Sequence, residues 1–268
     1  MTYSDVAMSA AEPCRLLDNE RLLLEASRFY WYHCVELVPG VVTDGDYDIG
    51  TVWSHYRFPD ELAGRGVLDV GRGSGFFAFA FEELGANVVA TDIGSLDDWD
   101  WVGGADARAS RVGAKVLPNG FDEDQICGAF HFARLARSSK VEPKTINVYD
   151  LDPSRFDGRQ FDLVLAGSIA SHLRDPILAF ERLRSVTREL CIVAAPSFDV
   201  PAAAEYPLMA LVGTADHDRR SWWVANARGL VEALSCAGFS EVEIMSEFQL
   251  KNRRTGLAVD HLVAHAKP

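Results

Sequence analysis

Short apolar runs alternate with longer amphipathic stretches through most of this chain. Val67–Val70 reads as a buried-strand run, and Phe76–Leu84 as a helix. Asn87–Thr91 predicts a strand. Asp122–Arg137 predicts a helix, introduced by Phe121, with Ile126, Phe130, Ala133 and Leu135 on or near one face. Thr145–Tyr149, Phe161–Ala166 and Leu190–Ala194 are three further strands. Between the last two, Asp175-Pro176 supplies an N-cap acid followed by proline at the first helical position, opening a helix to about Val186. Strands alternating with helices predict an α/β fold, a mostly parallel sheet covered on both faces.

The two ends depart from that alternation. Asn226–Ala237 reads as a helix closed by Gly238. Phe239–Met245 and Gly256–His265 then follow as strands with no comparable helix between them, which predicts an antiparallel hairpin. At the other end Leu16, Leu17, Leu23, Leu24 and Phe29 recur near helical spacing, so Glu12–Leu37 is read as a helix stopped by Pro39-Gly40. A polar, glycine-rich stretch (Thr43–Gly50) and the aromatics Trp53, Tyr56 and Phe58 complete an N-terminal helical cap over residues 1–60, leaving 61–268 as the main domain. The long connection Pro196–Ser221 is either a lid or an ordinary insertion.

The chemistry concentrates at Asp69-Val70-Gly71-Arg72-Gly73-Ser74-Gly75, between a strand and a helix. Glycine lets backbone approach a ligand closely, and the first turn of a Rossmann-like, doubly wound sheet is where a nucleotide meets the strand ends. A dinucleotide fingerprint would need its third glycine at position 76, which is Phe; the spacing here is G-x-G-x-G. Asp92 ends the next strand, where a carboxylate can accept from ribose hydroxyls. Asp150 follows the third strand, and Gly167-Ser168 the fourth. Taken singly, the glycines fit a tight connection, Asp92 a solvated strand end and Asp150 a turn residue. Their order, each at a strand end, favours a nucleoside site.

Charge and cysteine usage narrow the partners. The formal net charge is −13 over 268 residues, with Lys and Arg scattered, which disfavours nucleic acid. Five cysteines lie far apart without a C-x-x-C pair, and no His or Met spacing matches a metal site, so no metal is expected. Widely separated cysteines, the absence of a signal-peptide pattern and the lack of a membrane-length apolar run predict a cytoplasmic protein; a homo-oligomer is left open.

The glycine turn with its leading acid resembles the first motif of class I S-adenosylmethionine-dependent methyltransferases. The likeness extends to a subfamily that includes the tRNA wobble-uridine carboxymethyltransferases and their biosynthetic relatives. It is carried by Val67–Gly71, Gly128–Arg134, Val148–Leu151, Ser171–Pro176, Trp222–Asn226, Ala237–Phe239 and His261–Ala266, over roughly Trp53 to the C-terminus. The resemblance implies S-adenosylmethionine as cofactor, held by Asp69, Gly71, Gly73, Ser74, Gly75, Asp92, Ile93, Tyr149, Asp150, Gly167 and Ser168. It implies Asp69 near the methionine end, Asp92 on the ribose, Asp150 on the adenine amine, and Ile93 and Tyr149 flanking the ring. Acidic balance and the lack of a basic face favour a small-molecule acceptor over tRNA. No lysine precedes the first strand to hold a carboxylated cofactor, so the ordinary one is expected. Arg72 stands where relatives carry a small or neutral residue; it reaches the cofactor carboxylate or points to solvent, and solvent is favoured.

His172, after the fourth strand, is the candidate base, the alternative being a histidine that only hydrogen-bonds backbone. His33, Trp53, Tyr56 and Trp222 are candidates to line the acceptor side, the alternative being aromatic core. Asp216 and His217 lie in the long polar connection without a spacing motif.

Overall fold

The computed structural model describes residues 18–103, 123–199, 201, 204–213 and 220–268. Its eleven described strands are β1 (Glu36–Val38), β2 (Val41–Val42), β3 (Gly66–Val70), β4 (Asn87–Asp92), β5 (Glu142–Thr145), β6 (Phe161–Gly167), β7 (Thr187–Pro196), β8 (Met209–Leu211), β9 (Trp223–Ala225), β10 (Glu241–Lys251) and β11 (Ala258–Lys267). The described helices are α1 (Asn19–Ala26), α2 (Phe76–Glu83), α3 (Glu123–Ala136), α4 (Pro176–Val186) and α5 (Ala227–Cys236).

Seven strands join in one sheet in the order β10-β11-β7-β6-β3-β4-β5. The pairs from β7 to β5 are parallel, while β11 runs antiparallel to both β7 and β10. This is the Rossmann-like, doubly wound sheet with a C-terminal antiparallel pair that the periodicity predicts. Side chains alternate between its faces as strand geometry requires. Val67, Leu163, Leu165, Ile192 and Ala194 pack on one face with α2, α3 and the N-terminal segment. Leu68, Val164, Ala166, Cys191 and Val193 pack on the other with α4 and α5. Burial on both faces explains why these strands read as near-continuous apolar runs, interrupted by Asp69 in β3 and Asp162 in β6. No described helix is long and apolar enough to cross a membrane.

Two expected elements differ. The N-terminal helix is confined to Asn19–Ala26, with Asp18 as its N-cap, and residues 12–17 lie outside the described part. It stops where Trp31 turns back and donates its indole N–H to Ala26 O. The chain beyond it extends, pairs through an isolated bridge at His33 and Tyr47, and becomes β1. The run Tyr30–Val35 is aromatic and β-branched at its ends, a composition that suits extended chain as well as helix. The third strand lies earlier than expected, at Glu142–Thr145, and Val148–Asp150 forms a 3-10 turn instead. Asn147 causes the change: its side-chain oxygen accepts from Tyr149 N at 3.1 Å, a local bond that competes with strand pairing.

The chain leaves β3 toward β4 and β5 on one side and later returns to β6 and β7 on the other. The strand order therefore reverses between β3 and β6. Ligands of open α/β sheets bind outside the carboxyl ends of strands at such a point.

Candidate functional site

The glycine turn is built by contacts a side chain would prevent. Gly71 (φ +76°) and Arg72 donate their N–H groups to Thr91 O at 2.9 and 3.1 Å, tying the turn to β4. Gly75 N donates to Arg72 O at 2.8 Å, and α2 starts at the next residue. A Cβ on Gly71 would stand 2.2 Å from Ile169 Cγ2, and one on Gly75 2.5 Å from Phe79 Cε2. Ile169 belongs to the loop after β6, so the two strand ends meet with only a hydrogen atom's room between them. Ser168, in that loop, holds a left-handed φ of +66°, a conformation non-glycine residues adopt at a cost and often at functional sites.

Three ionisable side chains surround the turn. Asp92, half-buried at the end of β4, accepts from Gly73 N at 3.1 Å and from Ile93 N at 2.9 Å. Burial raises its carboxyl above the ordinary range, against the opposing pull of Arg72 and those two N–H groups. Asp69 is 1% exposed and is pushed up to about 7, first by burial and then by the charge of Asp92. Its Oδ2 has no hydrogen-bond partner among the described residues. Arg72 corrects the solvent expectation. It is 6% exposed, with its guanidinium carbon 4.7 Å from the centre of the Phe130 ring.

Beside the turn lies a cleft of about 530 Å³ counting its open mouth. Val70, Gly71, Asp92 and Ile93 form one end, and Ile146, Asn147, Val148 and Tyr149 the other. Ile169, His172 and Leu173 wall it from the β6 side, and Asp98, Trp99 and Asp100 arch over it. This arch is fastened at several points. Asp100 Oδ2 accepts from Tyr149 OH at 2.5 Å and from Arg174 N at 2.7 Å, while Asp100 O accepts the Trp222 indole N–H at 2.7 Å. Trp99 and His172 lie with ring centres 5.0 Å apart, and Trp99 Nε1 donates to Arg220 O at 3.4 Å. His172 Nδ1 lies 2.8 Å from the same carbonyl. A carbonyl can only accept, so Nδ1 carries the proton and Nε2 the lone pair in the neutral ring.

The fold thus gathers Gly71, Asp92, Ile93, Tyr149 and His172 around one cleft. Asp69, Gly73, Ser74 and Gly75 belong to the turn without lining it. Ser74 Oγ accepts from Tyr32 N at 2.9 Å, and a Cβ on Gly73 would meet His33 Cε1 at 3.3 Å. His33 therefore lies on the turn, buried, and its imidazole is pushed down to about 3 by desolvation alone. Gly167 ends β6 and Ser168 follows it, next to the cleft wall at Ile169. Trp222 braces the arch from outside.

Three candidates are not brought to the cleft. Asp150 is exposed, because the 3-10 turn set by Asn147 carries it past the cleft and leaves Asn147 on the lining. Trp53 and Tyr56 pack among Phe58, Phe77 and Phe81, with Tyr56 1% exposed, because the N-terminal segment shares the core of that sheet face. Asp216 and His217 lie outside the described residues. Sequence reasoning missed Asn147, Trp99 and Asp100. The signal for the last two is a tryptophan-rich, acidic loop four residues beyond the strand-ending Asp92.

No family model matches the chain, and no curated protein sequence matches it. Among solved structures it is similar to the N-terminal domain of EvdMO1 crystallised with SAH bound, at 15% identity and TM-score 0.62, covering 94% of this chain and 97% of that one. Against the crystal structure of EvdMO1 the values are 16% and 0.56, and the aligned part is 48% of that longer chain. Magnesium protoporphyrin IX methyltransferase (ChlM) from Synechocystis PCC 6803, with bound SAH, aligns at 17% identity and TM-score 0.50 over 82% of each chain. At these identities the likeness is one of fold.

Proposed function

We propose that this chain is an S-adenosylmethionine-dependent methyltransferase acting on a small-molecule acceptor. The observation that carries the reading is a carboxylate, Asp92, beside a glycine turn at the point where the strand order reverses, on the rim of an apolar cleft. The residues present fit such a cofactor. Gly71 leaves the backbone bare at the cleft floor, and Asp69 offers a buried oxygen with no partner among the described residues. Asp69 and Asp92 both lie within reach of the Arg72 charge there. That structures of the same fold were crystallised with SAH agrees with the reading.

When bound, the cofactor supplies a sulfonium methyl group as electrophile and a thioether as leaving group. The chain's own work is holding, orienting and proton removal. Asp92 accepts from the ribose hydroxyls. Ile93, Val148 and Leu173 give the base apolar walls, and Asn147 takes the polar role that the sequence suggested for Asp150. The arch of Asp98–Asp100, braced by Tyr149 and Trp222, keeps water from the reacting atoms. His172 Nε2, held by the bond from Nδ1 to Arg220 O, accepts the proton of a hydroxyl or amine acceptor. A net charge of −13 favours a small molecule over tRNA as acceptor.

The test is calorimetric titration with SAH, followed by an acceptor panel scored for SAH release. Micromolar SAH binding with turnover on a small hydroxyl- or amine-bearing molecule is expected. Absence of SAH binding overturns the cofactor assignment, and turnover on tRNA alone overturns the acceptor class.

A further inference from the structure

The C-terminal hairpin does more than close the sheet edge. Between β10 and β11 the chain reverses over Asn252–Gly256, and Asn252 builds the turn. Its Oδ1 accepts from Arg254 N at 3.0 Å and from Thr255 N at 2.9 Å. Two adjacent arginines are thereby set on a fixed tip, and both reach into residues 44–46 of the N-terminal segment. Arg253 N donates to Asp46 O at 2.7 Å, and its Nη1 donates to Gly45 O at 2.7 Å and to Asp44 Oδ1 at 2.9 Å. Arg254 Nε donates to Asp46 Oδ1 at 2.5 Å, and its Nη2 to Asp44 O at 2.6 Å. Tyr30 OH donates to the other Asp46 oxygen at 2.8 Å. The Asp46 side chain is 9% exposed, so this clasp differs from the solvated ion pairs that contribute little.

What the clasp holds leads to the glycine turn. Residues 44–46 press on the backbone of the chain ahead of them: a Cβ on Gly45 would stand 2.2 Å from His33 C and 2.3 Å from Cys34 N, so glycine alone permits the approach. Tyr47 N donates to Tyr32 O at 2.9 Å and Cys34 N to Tyr47 O at 2.8 Å, which fixes the two stretches in register. On their far side Tyr32 N and His33 N donate to Ser74 Oγ at 2.9 and 3.4 Å. The hairpin tip, residues 44–47, residues 32–34 and the glycine turn are thus four layers in contact, with hydrogen bonds across every junction. A contiguous packed series of this kind is able to carry coupling between distant points. We infer that Arg254 is a positioning residue for the ligand site: paired with Asp46, it seats Tyr32 and His33 on the glycine turn, and that seating sets how long a ligand stays. The inference rests on the cofactor assignment proposed for the cleft.

The competing view gives the clasp a purely structural role, in which it contributes to folding and nothing else. Stopped-flow measurement of SAH dissociation, with a thermal melt of each protein, separates the two. Arg254→Gln releases SAH about 3- to 30-fold faster, within the range by which changes along packed networks alter coupling, with an association rate within about twofold of the original. Arg254→Lys keeps the charge without the planar fork and recovers part of the loss, releasing SAH at an intermediate rate. Phe239→Leu is the control. Phe239 is buried on the opposite face of the sheet, with α4 and α5, so its truncation lowers the melting temperature and leaves SAH release unchanged. Dissociation from folded Arg254→Gln within about twofold of the unaltered chain overturns the inference. Faster release from Phe239→Leu, in step with its lost stability, also overturns it, because the rate then follows stability alone. If Arg254→Gln does not fold, Arg254→Lys decides, and release at the unaltered rate overturns the inference. An unaltered chain that does not bind SAH brings down the cofactor assignment and the inference together. SAH binding with a release rate indifferent to position 254 leaves the cofactor assignment standing and removes only the clasp.

Discussion

Asp92→Asn separates ligand binding from stability more cleanly than any other single change in this site. The carboxylate already receives Gly73 N on one oxygen and Ile93 N on the other. Its remaining lone pairs face the cleft, where the proposed ribose hydroxyls would donate. Asparagine keeps the shape but has one acceptor oxygen, which can meet only one of the two backbone N–H groups. Its amide NH2 then opposes a donor. Losing one charge-assisted bond to the ligand costs about 1.5–3 kcal/mol, or about 10- to 150-fold in affinity. Stability should respond differently. Burial raises the Asp92 carboxyl, so the folded state carries a strained negative charge that the substitution removes. This relief opposes the donor–donor conflict. The net change is expected within about 1 kcal/mol, a melting shift of about 2–4 °C at this size. Titration calorimetry with SAH and a thermal melt on the same preparation measure both. Unchanged SAH affinity in the folded variant refutes the ribose role. Affinity and melting temperature collapsing together would mean that Asp92 acts only by holding the turn.

Further outcomes follow from neighbouring residues. Gly71→Ala combines a left-handed φ of +76° with a Cβ 2.2 Å from Ile169 Cγ2, so SAH binding should disappear and stability fall by about 1–3 kcal/mol; a variant that binds normally would contradict the close approach of the strand ends. His33 is depressed from its ordinary 6.5 to about 3 by burial, so its contribution is complete above about pH 6.5 and is lost as pH falls toward 3, by up to about 1.4 kcal/mol per unit. Urea unfolding of His33→Phe between pH 7 and 4 should therefore show a flatter pH dependence than the unaltered chain, and an identical slope would show that the imidazole is not buried neutral. His172→Gln should lower kcat by about 100-fold or more with SAH affinity within about threefold. A full rate in the folded variant would place the proton acceptor elsewhere.

Much of the sheet was legible because its strands are buried on both faces. Val67–Val70 and Phe161–Ala166 are mostly apolar without alternation, each carrying one acid (Asp69, Asp162), and each is followed by a glycine that marks the strand's carboxyl end. The same local signals located Gly71 and Asp92. What escaped depends on partners distant in sequence. Arg72 reads as a surface cation until Phe130 is brought beneath it. Asp150 carries the charge expected of a base-binding residue, yet the side-chain bond from Tyr149 N to Asn147 turns the chain three residues earlier and puts the amide in the cleft. The Trp99 loop has no periodicity, and its position comes from Asp100, held by Tyr149 and Arg174 from other strand ends. The overlong N-terminal helix is the reverse error, since Leu23, Leu24 and Phe29 keep helical spacing across a boundary set by the Trp31 indole.

A crystal structure of the chain grown with SAH is the most direct measurement of the central claim. Density for the nucleoside should fill the cleft, with both sugar hydroxyls within about 3 Å of the Asp92 carboxylate and the base beside Asn147. Nucleoside density away from Asp92, or a cleft that stays closed in protein saturated with SAH, would contradict the account.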